Sequence, residues 1–374
     1  MPRRSPGVLA TAFGDGLLLH DALRHEIHVL NPAGAVVWAA CDGATLQDEL
    51  VAEVVAVTGQ RQEAIAADIR THLDQLRAAG LVDRPPLPDP VTPPVDGPID
   101  EPFALRSLRV LDEAVEVRSN DRALLAAVRA TFGDLYEVDR PPTGRVGLMQ
   151  LDDGRVRIYG RGHDRVVAVG DELDDAVASW LNRMVAPSRA MVAFHAGAVR
   201  SPEGRVVVIA GESGAGKSTL TGALVQAGWD YLTDEAVGVR AGRLDAVGYP
   251  KPLSLDAASR RLLGLTETGS STVPVSQVRP GARAALGDAG PLALVVFPDR
   301  LGNLDEGPRA LAPADAVVAL APNAINLGPS GPEGLEVLAQ IATTVACVRL
   351  GTSELPAAAA TILALATIEG STSP

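Results

Sequence analysis

The chain has 374 residues, 47% of them hydrophobic and 3% aromatic, with 33 Lys and Arg against 46 Asp and Glu for a net charge of −13. That length suits two or three domains whose cores are packed by Ala, Val and Leu, and the acidic balance disfavours nucleic acid, whose binders carry a basic face. No apolar run spans a bilayer and the N-terminus lacks an apolar signal core, so a soluble, cytoplasmic protein without a membrane partner is expected. The two cysteines, Cys41 and Cys347, follow no metal or redox spacing and read as reduced, buried thiols.

Residues 8–30 read as short strands, with Leu17-Leu18-Leu19 and Ile27-His28-Val29-Leu30 separated by a polar turn between Asp21 and Glu26. Asn31-Pro32 breaks the strand and opens a helix carrying Ala35, Val36 and Trp38, and Asp42-Gly43 marks a turn. A helix from near Thr45 has Leu46, Leu50 and Val54 at four-residue spacing. Another from about Gln62 aligns Ile65, Ile69, Leu73 and Leu76 on one face, and Gly80 closes it. The pattern predicts a small helix-rich domain with a β-hairpin.

The strings HVLNPAGAVVWAACDGATLQDELVAEV and AADIRTHLDQLRAAGLV, over roughly residues 10 to 84, resemble the PqqD family. That resemblance implies a winged-helix peptide-binding module, also called a RiPP recognition element, which holds the leader of a precursor peptide for modifying enzymes. In that family the leader adds as a strand beside the hairpin and packs on the third helix. By matching position, Ile27, His28, Val29 and Leu30 offer the strand edge, and Asp68, His72 and Leu76 face the peptide. From the residues alone, Ile69 and Leu73 read as core, and His72 fits a solvated helix position equally well.

Residues 85–102 are dense in Pro and Asp without apolar periodicity, which predicts an extended, semi-rigid linker. Residues 103–190 read as an α/β lead-in. Strand-like alternation runs over Leu105–Val117 and Val146–Val169, a helix over Arg122–Phe132, a hairpin turn at Asp152-Asp153-Gly154, and a helix over Asp171–Met184. The paired acids of that turn need no catalytic role.

Residues 191–374 form the expected core. Val206-Val207-Val208-Ile209 reads as a buried strand, and Gly211-Glu212-Ser213-Gly214-Ala215-Gly216-Lys217-Ser218 fits G-x-x-x-x-G-K-[ST] at every fixed position. Leu220, Ala223, Leu224 and Ala227 follow at helical spacing, and Gly228 is a helix stop. The motif therefore stands between a strand and a helix start, where backbone N–H groups and the helix dipole attract phosphates. Lys217 reaches the terminal phosphates and the Ser218 hydroxyl is a Mg²⁺ ligand, with Thr219 next in the cradle. Tyr231-Leu232-Thr233-Asp234-Glu235, with Asp234 seventeen residues after Lys217, suits the end of the next strand. Carboxylates there hold Mg²⁺ or take a proton from an attacking hydroxyl; the alternative is two surface acids of a turn. His195 precedes the turn Ser201–Gly204, which predicts a hairpin between its strand and the one feeding the loop; by itself it also fits a satisfied core histidine. Lys251 and Arg300 stand beside prolines in apolar surroundings, as phosphate contacts or as rim ion pairs.

No LSGGQ-like or NKxD string is present. The order His, phosphate loop, two acids, together with HAGAV and YPKPLSL, makes residues 103–365 resemble the HPr kinase/phosphorylase-like family, with a nucleotide fold akin to that of phosphoenolpyruvate carboxykinase. The resemblance implies ATP, or alternatively GTP, with Mg²⁺ as cofactor. It makes His195 an active-site histidine, Lys217 and Ser218 the phosphate and Mg²⁺ groups, and Asp234 the acceptor of the substrate hydroxyl proton. Glu235 replaces a second aspartate, and Thr219 stands where HPr kinases have a metal-associated glutamate. Lasso-peptide kinases, which phosphorylate a peptide serine, belong to the same broader group. The fold class expected is thus α/β, a winged-helix PqqD-like domain followed by an HPr-kinase-like P-loop domain. The function expected is an ATP-dependent serine kinase acting on a leader-bound precursor peptide, with other modifying enzymes and a second copy of the chain as further partners. Two alternatives stand beside it: a non-catalytic, ATP-gated peptide chaperone, and a kinase whose phosphopeptide passes onward to cyclisation or elimination.

Overall fold

The structure, a computed structural model, describes residues 1–85, 99–132, 135, 141–185, 190–266, 272–282, 289–300 and 307–367. The segment expected as a linker falls, over residues 86–98, outside the described residues. Near the N-terminus, β1 (Val8–Phe13), β2 (Gly16–Asp21) and β3 (Glu26–Leu30) form an antiparallel sheet in that order, followed by α1 (Pro32–Ala39), α2 (Gln47–Thr58) and α3 (Gln62–Ala78). Asn31 Oδ1 accepts the Gly34 amide at 2.8 Å, so Asn31-Pro32 starts a helix. α2 starts two residues after Thr45 because Asp42 Oδ1 accepts both the Ala44 and Thr45 amides at 2.8 Å; these bonds hold the Asp42 acid down to about 2. Ile65, Ile69, Leu73 and Leu76 of α3 are buried with Trp38, Leu50 and Leu81.

Alternation along β2 sends Leu19 into that core and Leu18 to the other face. Leu18 and Phe13 are buried in one cluster with Leu335 and Leu338 from a helix near the C-terminus, so the sheet is covered on both faces.

The next unit is a five-stranded sheet of β4 (Phe103–Val110), β5 (Glu113–Ser119), β6 (Gly144–Gln150), β7 (Val156–Gly160) and β8 (His163–Val167), in sequential order. Its helices α4 (Arg122–Phe132) and α5 (Asp171–Val185) pack on it through Val128, Phe132, Val177 and Leu181.

The remaining chain builds a nine-stranded mixed sheet. Its first part comprises β9 (Val192–Phe194), β10 (Ala196–Arg200), β11 (Val206–Ala210), α6 (Lys217–Gln226), β12 (Asp230–Thr233), β13 (Val237–Val239) and β14 (Asp245–Gly248). A two-stranded pair, β15 (Leu253–Ser254) and β16 (Thr272–Val273), flanks α7 (Ala257–Leu262), and α8 (Val275–Val278) follows. β17 (Ala289–Asp299), β18 (Arg309–Ala310), α9 (Pro313–Leu320), α10 (Leu327–Thr344, interrupted at Gly331-Pro332), β19 (Ala346–Gly351) and α11 (Leu355–Thr367) complete the described chain.

The order runs β12-β10-β11-β17-β14-β13-β9, with β19 also on β17 and β18 on β19. β10 and β11 are the antiparallel hairpin expected around Ser201–Gly204. β11, β17 and β19 are mutually parallel, so their C-terminal ends meet at one end of the sheet, where open α/β sheets bind ligands. Helices α6 and α11 cover one face and α9 and α10 the other. Both cysteines are free and buried, and burial pushes the Cys41 thiol to about 11 and the Cys347 thiol to about 12. Among the described residues no helix is long and apolar enough to cross a membrane.

Candidate active site

The loop after β11 follows from its glycines. Gly214 and Gly216 have φ of 81° and 95°, and a Cβ at either would meet nothing within 4 Å. Backbone conformation, not crowding, therefore requires glycine there. Gly216 hands the chain to α6, whose first residues are Lys217 and Ser218. Lys217 Nζ donates to the Gly211 and Glu212 carbonyls at 2.8 and 3.0 Å, curling over the loop. Burial lowers the Lys217 pKa, and the Glu235 and Asp234 charges pull the other way, so both carboxylates lie within its electrostatic reach. Ser218 is half-buried, whereas Thr219 Oγ1 is committed to Ser259 Oγ at 2.8 Å.

The acids follow β12, an edge strand that pairs with β10 and so lies one strand further from the loop strand. Thr233 Oγ1 accepts the Glu235 and Ala236 amides at 3.1 and 3.3 Å, forming the turn that presents the pair. Asp234 is 4% exposed. Its Oδ2 accepts the Ser254 amide at 2.8 Å and its Oδ1 the Lys251 ammonium at 2.9 Å. The Tyr231 hydroxyl lies 3.0 Å from Asp234 Oδ1 and 2.7 Å from the Lys251 carbonyl, with one proton for the two. Glu235 Oε1 accepts Asn182 Nδ2 at 2.6 Å and stands 3.5 Å from His195 Nδ1, while Oε2 is 3.4 Å from Lys251 Nζ. The Tyr249 hydroxyl donates in turn to Asn182 Oδ1. Burial, followed by the nearby carboxylates, pushes the Tyr231 and Tyr249 hydroxyls well above their ordinary range, so both stay neutral donors. Burial works against the Lys251 charge, but the two carboxylates outweigh it and raise its pKa.

Lys251 is thus 3% exposed and clamped between the acids, also reaching Pro252 O and Ser254 Oγ, and does not face the cleft. Arg300 is exposed and lines the cleft. The cleft, about 1120 Å³, is bounded by the loop Gly211–Ala215, by His195, by the ends of β17 and β19, and by α9. Asn323 ties its parts together: Oδ1 accepts the Gly211 amide at 3.1 Å and its carbonyl accepts the His195 amide at 2.7 Å.

The structure therefore gathers Lys217, Asp234, Glu235 and His195, and adds residues the sequence reading did not single out. Tyr231 and Tyr249 stand within YLTDE and GYPKP, strings already in view. Asn182, Asn323, Arg309 and Arg349 carried no local signal. In the N-terminal sheet, β3 has β2 as its one hydrogen-bonded neighbour among the described residues, which leaves its other edge unpaired there. Asp68 is exposed and His72 half-buried, its Nδ1 2.9 Å from the Asp68 carbonyl. Leu76 differs from its expected place facing a peptide: it is 3% exposed in the helical core, because it falls on the Ile65–Leu73 face of α3.

Among the described residues no three His, Cys, Asp or Glu side chains converge as a metal site. A divalent cation would rely on Asp234, Glu235, the Ser218 hydroxyl and the phosphates of its own ligand. Two carboxylates and a hydroxyl are the oxygen donors that Mg²⁺ takes, and the carboxylates would share it with the Lys251 ammonium that already lies between them.

Residues 16–82 match the family described as Coenzyme PQQ synthesis protein D (PqqD). The N-terminal domain is PqqD-like. Among solved structures the chain is similar to TbiB1 in complex with the TbiA(beta) leader peptide, at 18% identity over 22% of this chain and 94% of that one, with a TM-score of 0.21. It is also similar to the Hpr(Ser) kinase/phosphatase from Coxiella burnetii, at 16% identity over 46% of this chain and 93% of that one, with a TM-score of 0.27. A comparison with curated proteins finds no match. The PqqD-like domain is followed by a mixed α/β domain.

Proposed function

We propose that the chain is an ATP-dependent kinase that phosphorylates a serine of a ribosomally made peptide, captured through its leader by the PqqD-like domain. The observation that carries this reading is the buried Asp234, fixed by Ser254 and Lys251 within electrostatic reach of the phosphate-loop lysine. In this reading the loop amides and Lys217 hold the β- and γ-phosphates. Asp234 takes the proton of the serine hydroxyl as its oxygen forms the new bond to the γ-phosphorus and the bond to the β–γ bridging oxygen breaks, leaving ADP. Glu235, steadied by Asn182, and His195 keep the neighbouring charge in place. Ser218, Asp234 and Glu235 would hold a Mg²⁺ ion, which when bound would neutralise phosphate charge. The free edge of β3 receives the leader as an added strand.

The test is incubation of the full chain with ATP, Mg²⁺ and the precursor peptide encoded beside its gene. The expected product carries one phosphate on serine. Asp234→Asn keeps an acceptor for the Ser254 amide and loses the base, so kcat should fall by about 10²–10⁴, a larger loss than any in ATP affinity. An unchanged kcat would show that Asp234 is not the base.

The Lys251 clamp favours a second reading, in which the domain senses ATP and gates delivery of the peptide to another enzyme. Its ammonium already offsets one of the two negative charges of the acid pair. Normal peptide modification by a Lys217→Ala chain, with no phosphopeptide formed by either protein, would select that reading.

A further inference from the structure

The cleft wall built by β17, β18 and β19 carries a feature that neither the phosphate loop nor the acid pair uses. β18 is two residues long and lies antiparallel on β19, with Arg309 directly opposite Arg349. Side chains paired this way leave one face of the sheet with Cβ atoms roughly 5 Å apart, and like charges there repel. On its other side Arg349 is in register with Phe297, which offers no charge to relieve the repulsion. Both arginines are exposed, and both line the cleft that contains the phosphate loop. The acids of the same cleft are Glu212, Asp299 and Asp315. Among the described residues, neither these nor any other carboxylate forms an ion pair with either guanidinium.

We propose that Arg309 and Arg349 form an oxyanion-binding subsite of this cleft, separate from the phosphate loop, that receives a carboxylate or phosphate group. An anion seated between two guanidinium forks turns their repulsion into charge-assisted contacts. Two sources have this chemistry: the phosphates of the nucleotide itself, and an acidic side chain near the acceptor of a peptide. Small-molecule pockets run to roughly 300–1,000 Å³, so a cleft of about 1120 Å³ has room for a nucleotide and an acceptor segment. The peptide source rests on the kinase reading above; the subsite does not.

The test uses the full chain with sulfate as the probe. Arg309→Glu sets a carboxylate opposite Arg349, so without sulfate this variant should melt at the wild-type temperature or above it while the subsite is lost. Sulfate should raise the Tm of the wild-type protein and raise that of Arg309→Glu and Arg349→Ala by less than half as much. Equal rises in all three overturn the subsite, whether or not the protein transfers phosphate. A further pair of measurements finds the source. A tenfold rise in the Kd for ATP in Arg309→Glu assigns the anion to the nucleotide. An unchanged Kd for ATP, with the peptide KM raised tenfold and no longer sensitive to salt, assigns it to the acceptor. A sulfate difference without any phosphate transfer by the wild-type chain keeps the subsite and discards the kinase reading.

Discussion

Lys251 and Asp234 form the most buried ion pair of the site, at 3% and 1% side-chain exposure. Removing one partner of such a pair leaves the other charge without compensation, which costs about 3–5 kcal/mol. Lys251→Met, close in length and apolar, should lose that much stability by urea denaturation. Adding Asp234→Asn to it should restore a large part, because the orphaned carboxylate is then gone. If the double variant is as unstable as Lys251→Met, packing and not charge holds this corner together. A second residue ties stability to pH. Burial, helped by Asp171 and Asp175, pushes the Asp174 acid up to about 6, against the bond from Thr131. The unfolded carboxyl titrates near 3.9, so the fold holds this proton more tightly than the unfolded chain does. Asp174 thus favours the fold most below about pH 4, and that contribution is lost as pH rises through 6. Discounted for the water reaching a half-buried group, the loss is about 1–2 kcal/mol. Asp174→Asn should gain about that much at pH 7.5 and nothing near pH 4, measured as the difference in unfolding free energy from wild type.

Three elements far apart in the chain meet at Asn323, which ends the 3-10 turn after α9 (Ala321–Asn323). Its side chain fixes the start of the phosphate loop and its carbonyl fixes the corner between β9 and β10 where His195 sits. Asn323→Ala leaves the Gly211 amide without its acceptor, a loss of roughly 1 kcal/mol, and ATP should bind about fivefold more weakly by calorimetry. Asn323→Asp keeps the acceptor, so the melting temperature should recover; its negative charge beside the phosphates should keep ATP binding weak. Recovery of both would mean that geometry alone matters there. Asn323 also marks where sequence reading stops. Strand, loop and helix from Val206 to Ala227 were legible because the glycines, the lysine and the apolar spacing act within one turn of backbone. The spacing of three and four residues along α3 was legible for the same reason, and it carries Leu76 into the core. The bond from Gly211 to Asn323 spans 112 residues, and no local pattern encodes it. The placement of β12 beside β10, or of Arg309 opposite Arg349, likewise depends on sheet order that neighbouring residues do not specify.

At the scale of the whole molecule, the N-terminal sheet serves two masters. Leu19 belongs to the core of the PqqD-like domain, while Leu18, one residue earlier, is fully buried among residues of α10 and the nine-stranded sheet. Ile27 of β3 packs against the same cluster, so the strand with the unpaired edge is anchored to the domain that holds the phosphate loop. α9, which lines the cleft, packs next to β3. In the kinase reading, such docking would fix where a bound leader lies relative to the cleft and would raise the effective concentration of the attached acceptor without adding any contact to it. The two leucines separate the roles. Each Leu→Ala change removes a fully buried side chain and costs about 2–5 kcal/mol. Leu19→Ala should weaken the PqqD-like fold and with it leader binding. Leu18→Ala should leave the affinity for an isolated leader peptide within about threefold, roughly 0.6 kcal/mol, because its contacts lie on the opposite face from that core. Its effect should fall on transfer: phosphorylation of the full precursor slows, while phosphorylation of a leaderless core peptide, slow already, does not change. A Leu18→Ala chain that modifies the full precursor at the wild-type rate would mean that docking stabilises the two domains and does nothing to deliver the substrate.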